Sequence, residues 1–206
     1  IDHSGSMSEI VDDGETNLDL AVAAAENAVT ELRNKDYVGV VAFDDTYSWV
    51  VPITKAEDKD GIKEKIETIP EGGGTTIKPA VKAAVEAVKD CDAEIKHVVL
   101  LTDGQGETTN FMDVMGQCKQ SGITLSTVAV GADSDTSLLE KLAEGCGGRY
   151  YYSDISTDIP KIFAREVFLS GETYLQNGTF TLSVNSSNAV TRGLFADGWP
   201  QISGYV

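Results

Sequence analysis

At 206 residues the chain has room for one α/β domain with a real core and some further chain, but not for two such domains. Hydrophobic residues make up 41% and charged residues 24%, the balance of a soluble globular fold rather than a disordered or membrane-embedded one. Against 16 Lys and Arg stand 33 Asp and Glu, a formal net charge of -17. Such a surface repels nucleic acid and anionic lipid and favours cations and basic partners.

No apolar run approaches the ~20 residues that cross a bilayer, and no signal-peptide pattern is present. The opening residue reads as an internal one. Cys91, Cys118 and Cys146 are widely spaced and form no CxxC pair, so they read as small buried hydrophobes. One disulfide with a spare thiol is the alternative.

In chain order, Ile1-Asp2 is followed by a turn-rich stretch, HSGSMSEIVDDGE. Thr16 with Asp19 fits a capping box, ahead of Leu18, Val22, Ala25, Val29 and Leu32 at helical spacing. Val38–Phe43 (VGVVAF) and Ser48–Ile53 (SWVVPI) read as strands, and Pro52 puts the second at a sheet edge. Gly61–Ile69 and Ile77–Lys89 each gather their apolar residues on one helical face. Ile95–Thr102 (IKHVVLLT) and Ile123–Gly131 (ITLSTVAVG) are apolar on both faces, as parallel strands covered by helices must be. Helical patterns over Phe111–Ser121, Ser134–Ala143 and Ile159–Leu169 and a last strand at Arg149–Ser153 complete the alternation. The expected fold is α/β: a doubly wound, mostly parallel sheet with helices on both faces and one antiparallel edge strand.

The two ends depart from this pattern. A parallel fold wants a strand feeding Asp2, and only Ile1 stands before it. The first central strand is therefore expected to be missing from the chain or supplied by another segment, Thr179–Val184 (TFTLSV) being the speculative candidate. From Gly171 the helical period stops, so residues 1–170 are read as one domain and 171–206 as an extension or the start of another.

Three short segments carry chemistry: Asp2-His3-Ser4-Gly5-Ser6, Gly72-Gly73-Gly74-Thr75-Thr76 and Thr102-Asp103-Gly104. A hard dication takes oxygen ligands in octahedral array and keeps some water. Asp2, Ser4 and Ser6 alternate on a tight loop that Gly5 leaves unobstructed. The Ser4 and Ser6 hydroxyls bind without adding charge, while Asp2 and Asp103 supply the negative field. The ion is then under-neutralised and attracts an outside carboxylate. Nothing beside it is an evident base or nucleophile; His3 is adjacent, with its side chain expected to point away. The acids Asp12, Asp13 and Glu15 read as a solvated loop, with a second cation site as the alternative.

The pattern DHSGSM … GGGTTIKPA … LLTDG closely resembles the metal-ion-dependent adhesion site of von Willebrand factor type A domains, over about Asp2–Leu169. That resemblance implies Asp2, Ser4, Ser6, Thr75 and Asp103 as ligands of Mg2+, with Mn2+ or Ca2+ as substitutes and Thr76 as the alternative to Thr75. It implies a sheet of six strands, five of them parallel, with a hydrophobic strand ending in the first aspartate. It also implies a non-enzymatic adhesion-type module whose protein partner offers an Asp or Glu. A docking subunit of a metal-dependent enzyme complex and a structural domain with an empty site are the competing expectations. The stretch AREVFLSGETYLQNG from Ala164 and the tail TRGLFADGWPQISGYV are similar, more loosely, to large bacterial membrane-anchored proteins, which sets the expected setting of the domain.

Overall fold

The computed structural model describes residues 1–12, 14–103, 109–130, 134, 136–153, 161–163, 165–166, 176–181 and 201–205. After a 3-10 turn at Gly5–Ser8, a small hairpin joins β1 (Ile10–Asp12) and β2 (Glu15–Thr16), with Gly14 at φ 90°. Where the turn-rich composition suggests only a loop, the Asp-Gly pair is a hairpin-turn signal. Asp13 and Gly104 lie outside the described residues, as do the side chain of Asp12, Ile159 and the last residues of the Ile159–Leu169 stretch.

Helix α1 (Asn17–Glu31) begins with the expected capping box. The Thr16 hydroxyl accepts from Asp19 N at 3.1 Å, and Asp19 Oδ2 accepts from Thr16 N at 2.8 Å. Strands β3 (Tyr37–Phe43) and β4 (Tyr47–Lys55) form an antiparallel pair in which Pro52 is exposed. Then follow α2 (Lys59–Ile66), α3 (Ile77–Asp90), β5 (Lys96–Thr102), α4 (Met112–Ser121), β6 (Ile123–Val130), α5 (Thr136–Gly145) and β7 (Tyr150–Ser153). Strands β5, β6 and β7 are parallel and paired in that order.

Ile1 to His3 run between β3 and β5. Phe43 N donates to Ile1 O and His3 N to Phe43 O, each at 3.0 Å, while on the other side Asp2 N donates to Leu101 O at 3.0 Å. Asp2 bridges Phe43 in parallel sense. These three residues occupy the place assigned to the strand that feeds Asp2, and they join β4-β3 to β5-β6-β7.

Period-two alternation sends neighbouring side chains to opposite faces. Leu101, Val128 and Val130 meet α1, α2 and Phe163 on one face; Leu100, Leu125 and Ala129 meet α3, α4 and α5 on the other. Two cores on a central sheet are what a doubly wound fold requires. Contacts within the chain group Ile1–Ser170 as one unit and Gly171–Val206 as another. In the second, β8 (Gln176–Thr181) pairs antiparallel with β9 (Gln201–Tyr205). The Thr179–Val184 run falls partly in β8; its residues 182–184 lie outside the described residues.

Among the described residues no helix is long and apolar enough to cross a membrane.

Candidate metal centre

Asp2, at the carboxyl end of its short run between β3 and β5, is fully buried. A buried carboxylate needs donors to offset its lost hydration, and Asp2 has them. Its Oδ1 accepts from Ser4 N at 2.8 Å and its Oδ2 from the Thr102 hydroxyl at 2.5 Å. Burial pushes the Asp2 carboxyl above its ordinary range; the Ser4 and Thr102 hydrogen bonds pull it back, and the negative charge of Asp103 raises it further. Asp103, one residue past the end of β5, is buried too. The loop thus holds acidic oxygens whose mutual repulsion a cation would relieve.

The Ser4 and Ser6 hydroxyl oxygens lie 3.2 Å apart. Two adjacent ligands of an octahedral ion with bonds of about 2.1 Å are separated by about 3.0 Å. The pair therefore fits one hard dication. Among the described residues no three His, Cys, Asp or Glu side chains are grouped to hold a metal, so a cation here would lean on hydroxyls.

The glycine-rich segment is stitched onto this loop by backbone bonds. Gly5 N donates to Gly73 O at 2.8 Å and Gly72 N to His3 O at 2.7 Å. From the turn after β3, Asp44 O accepts from Thr76 N at 2.7 Å, Asp44 Oδ2 from Gly73 N at 3.2 Å and Asp45 Oδ2 from Gly74 N at 3.1 Å. The bonds from Thr46 and Gly73 hold the Asp44 carboxyl below its ordinary range. Half-buried Thr75 lies within this tethered segment, one residue before the start-cap of α3. Gly72 has no room for a side chain: a Cβ there would come within 2.6 Å of His3 Nδ1 and 2.8 Å of Asp44 Oδ2.

All three motifs thus meet at the carboxyl edge of the sheet. Sequence reasoning missed the Thr102 hydroxyl that anchors Asp2 and the two acids, Asp44 and Asp45, that hold the glycine loop. The signal for the acids was a pair of carboxylates directly after β3, at the edge where the other motifs end. His3 is packed against Gly72, and its Nδ1 has no hydrogen-bond partner among the described residues.

A family model described as the von Willebrand factor type A domain matches residues 1–165. The chain belongs to that family.

Members of the type A family often mediate metal-dependent protein interactions. Human calcium-activated chloride channel regulator 4 is 28% identical over 188 residues, covering 88% of this chain and 20% of the regulator. The curated relatives are much longer than this chain, which spans 20% of that one and 39% of another. Among solved structures, a von Willebrand factor type A protein from Catenulispora acidiphila is similar, with a TM-score of 0.72 and 24% identity over 86% of this chain and 42% of that one. Proximal thread matrix protein 1 from the mussel byssus, with a zinc-occupied MIDAS motif, has a TM-score of 0.64 and 18% identity. That likeness covers 81% of this chain and 44% of the mussel protein. At these identities the structures establish the fold.

Proposed function

We propose that this type A domain is a divalent-cation-dependent protein-binding module, in which Asp2, Ser4, Ser6, Thr75 and Asp103 hold one Mg2+. The observation that carries the reading is the 3.2 Å spacing of the Ser4 and Ser6 hydroxyls beside the buried, doubly hydrogen-bonded Asp2 carboxylate. When bound, the ion supplies a Lewis-acidic position that takes an Asp or Glu oxygen from a partner. The chain itself carries a formal charge of -17, so an acidic partner is repelled everywhere except at such a point.

What the protein contributes is positioning. Thr102 and Ser4 N fix Asp2, and Asp44 and Asp45 tether the segment that presents Thr75. No catalytic residue belongs to this reading, because His3 is walled in by Gly72. Calorimetric titration with Mg2+ tests it. Ser4→Ala and Asp103→Ala are expected to abolish the binding heat while circular dichroism stays unchanged, and Thr75→Ala should weaken binding more than Thr76→Ala. Mg2+ affinity that survives in both Ser4→Ala and Asp103→Ala eliminates the ligand set. The partner chemistry is read separately, as capture of Asp- or Glu-bearing peptides that a chelator reverses.

A further inference from the structure

A large apolar side chain stands exposed beside each of the three motifs that meet at the carboxyl edge of the sheet. Ile10, 68% exposed, opens β1 shortly after Ser6. Its hairpin is rooted on the Asp2–Ser6 loop, with Glu9 N donating to Ser6 O at 3.3 Å and Asn17 N to Glu9 O at 3.2 Å. Tyr47, 44% exposed, opens β4 opposite Phe43, directly after the turn whose Asp44 and Asp45 tether the glycine segment. Met112, 73% exposed, opens α4 beyond Asp103, and its N donates to Asn110 Oδ1 at 2.7 Å. Asn110 O accepts in turn from Lys78 Nζ at 2.5 Å, in the first turn of the helix that starts after Thr76. Of the other exposed large hydrophobics, Tyr37 opens β3 and Ile95 precedes β5 at the opposite edge, and Tyr152 lies on β7.

We propose that Ile10, Tyr47 and Met112 form an interaction surface around the cation, and that its occupant is a partner-protein segment whose acidic residue is flanked by apolar and basic side chains. This surface rests on the proposed cation site and specifies what the partner carries besides its carboxylate. One apolar side chain left in water is ordinary for a folded chain. Three of them, each next to a separate segment of the same site, are area that a partner gains by covering. Removing apolar surface from water is the main favourable term in association, whereas a carboxylate on a metal selects any acid.

Charge decides what else the occupant carries. Glu9, Asp45 and Glu71 are exposed on the segments that carry or tether the motifs. Lys78, at the start of α3, is drawn to Asp113 at 2.7 Å. An acid that approaches the ion across this rim is repelled unless basic groups travel with it. At physiological salt, charges are screened beyond about 8 Å, and an extended chain rises about 3.3 Å per residue. The bases therefore lie within about two or three residues of the acid. A second copy of this chain, with its formal net charge of -17, is a poor occupant for the same reason.

Short synthetic peptides with one central aspartate are compared on the full chain by biolayer interferometry in excess Mg2+. One carries leucine and lysine beside the aspartate, one leucine and glutamate, and one serine and lysine. The leucine–lysine peptide is expected to bind roughly tenfold more tightly than either of the others, and EDTA should release it. The combined variant Ile10→Ser, Tyr47→Ser, Met112→Ser should weaken that peptide by roughly tenfold or more. Its calorimetric Mg2+ isotherm should match the parent's, since none of the three side chains is buried. The inference is overturned if the combined variant holds the peptide as tightly as the parent, or if either of the other peptides binds as well. It is equally overturned if binding persists in EDTA or with alanine in place of the aspartate. Peptide failure with the Mg2+ heat of the parent intact overturns the surface alone; a parent chain that takes up no Mg2+ overturns the cation site and the surface together.

Discussion

The Thr102 hydroxyl donates to Asp2 Oδ2 at 2.5 Å, between residues 100 positions apart in sequence and both fully buried. This bond ties the last residue of β5 to the acid that opens the Asp2–Ser6 loop. It aims the Asp2 carboxylate so that its other oxygen receives Ser4 N. Thr102→Val keeps the shape and deletes the donor, leaving a buried carboxylate one bond short. The expected cost is about 2 kcal/mol in urea unfolding, with Thr102→Ser recovering most of it. A Thr102→Val variant as stable as the parent would show that Asp2 takes its support elsewhere.

Gly72 faces the other wall of the same loop. A methyl group there would press on the buried His3 ring and on Asp44 Oδ2, the oxygen that holds Gly73 N. His3 is itself buried, so the glycine segment is expected to yield. Gly72→Ala is expected to lose about 1–3 kcal/mol of stability, as overpacking does. Because the displaced segment carries Thr75, Mg2+ affinity measured by calorimetry should fall at least tenfold. Full retention of that affinity would mean that the position of the glycine loop does not matter to the ion.

Asp44 is the half-buried counterpart of these contacts. Its carboxylate accepts from Thr46 N at 2.9 Å and from Gly73 N at 3.2 Å, and both bonds are lost in Asp44→Ala. Since nothing buried is left unpaired, the thermal midpoint should barely move. Loosening of the Gly72–Thr76 segment should instead appear as faster amide exchange at Gly73 and a several-fold weaker Mg2+ isotherm. Exchange at Gly73 that matches the parent would assign the tethering to Asp45 and the backbone alone.

The sheet and its covering helices were legible because burial on both faces leaves strands with apolar residues on both sides, continuous in Val98–Leu101, while one-sided helices leave stripes. The Asp2–Ser6 loop stood out for a different reason: small oxygen-bearing residues alternate there around a glycine. Thr102 was not, since a threonine closing a β-branched strand looks like any other strand residue. Asp44 and Asp45 looked like solvated turn acids, and only the fold places them under the glycine loop. Glu166 was hidden most completely. In the sequence it is one more charge on an acidic chain, beside the helical stripe of Ile162 and Phe163.

Glu166 has no exposed surface, and Phe163, three residues before it, packs on the face that α1 and α2 also cover. The partners of Glu166 come from β5, from β7 and from Arg149 just before β7. Its Oε1 accepts from Arg149 Nε at 2.6 Å and from the Tyr151 hydroxyl at 2.5 Å, and its Oε2 lies 3.0 Å from His97 Nε2. Burial alone would raise the Glu166 carboxyl; the hydrogen bonds from His97, Arg149, Ser126 and Tyr151 outweigh it and hold the group well below its ordinary 4.5. An acid whose folded pKa is depressed gives its full stabilisation above the unfolded value and loses it as pH falls. The contribution of Glu166 should therefore be complete above about pH 4.5 and fade steadily below it. Glu166→Gln removes the charge and keeps the volume. Losing one partner of a buried ion pair costs about 3–5 kcal/mol, and here Arg149 is 44% exposed and can return its charge to water. A loss of about 2–3 kcal/mol at pH 7 is expected on that discounted basis, shrinking as the pH approaches 3. Urea titrations of both proteins at pH 7 and pH 3 read the difference directly. Equal gaps at the two pH values would mean that the carboxylate charge contributes nothing and that only the shape of the side chain is used.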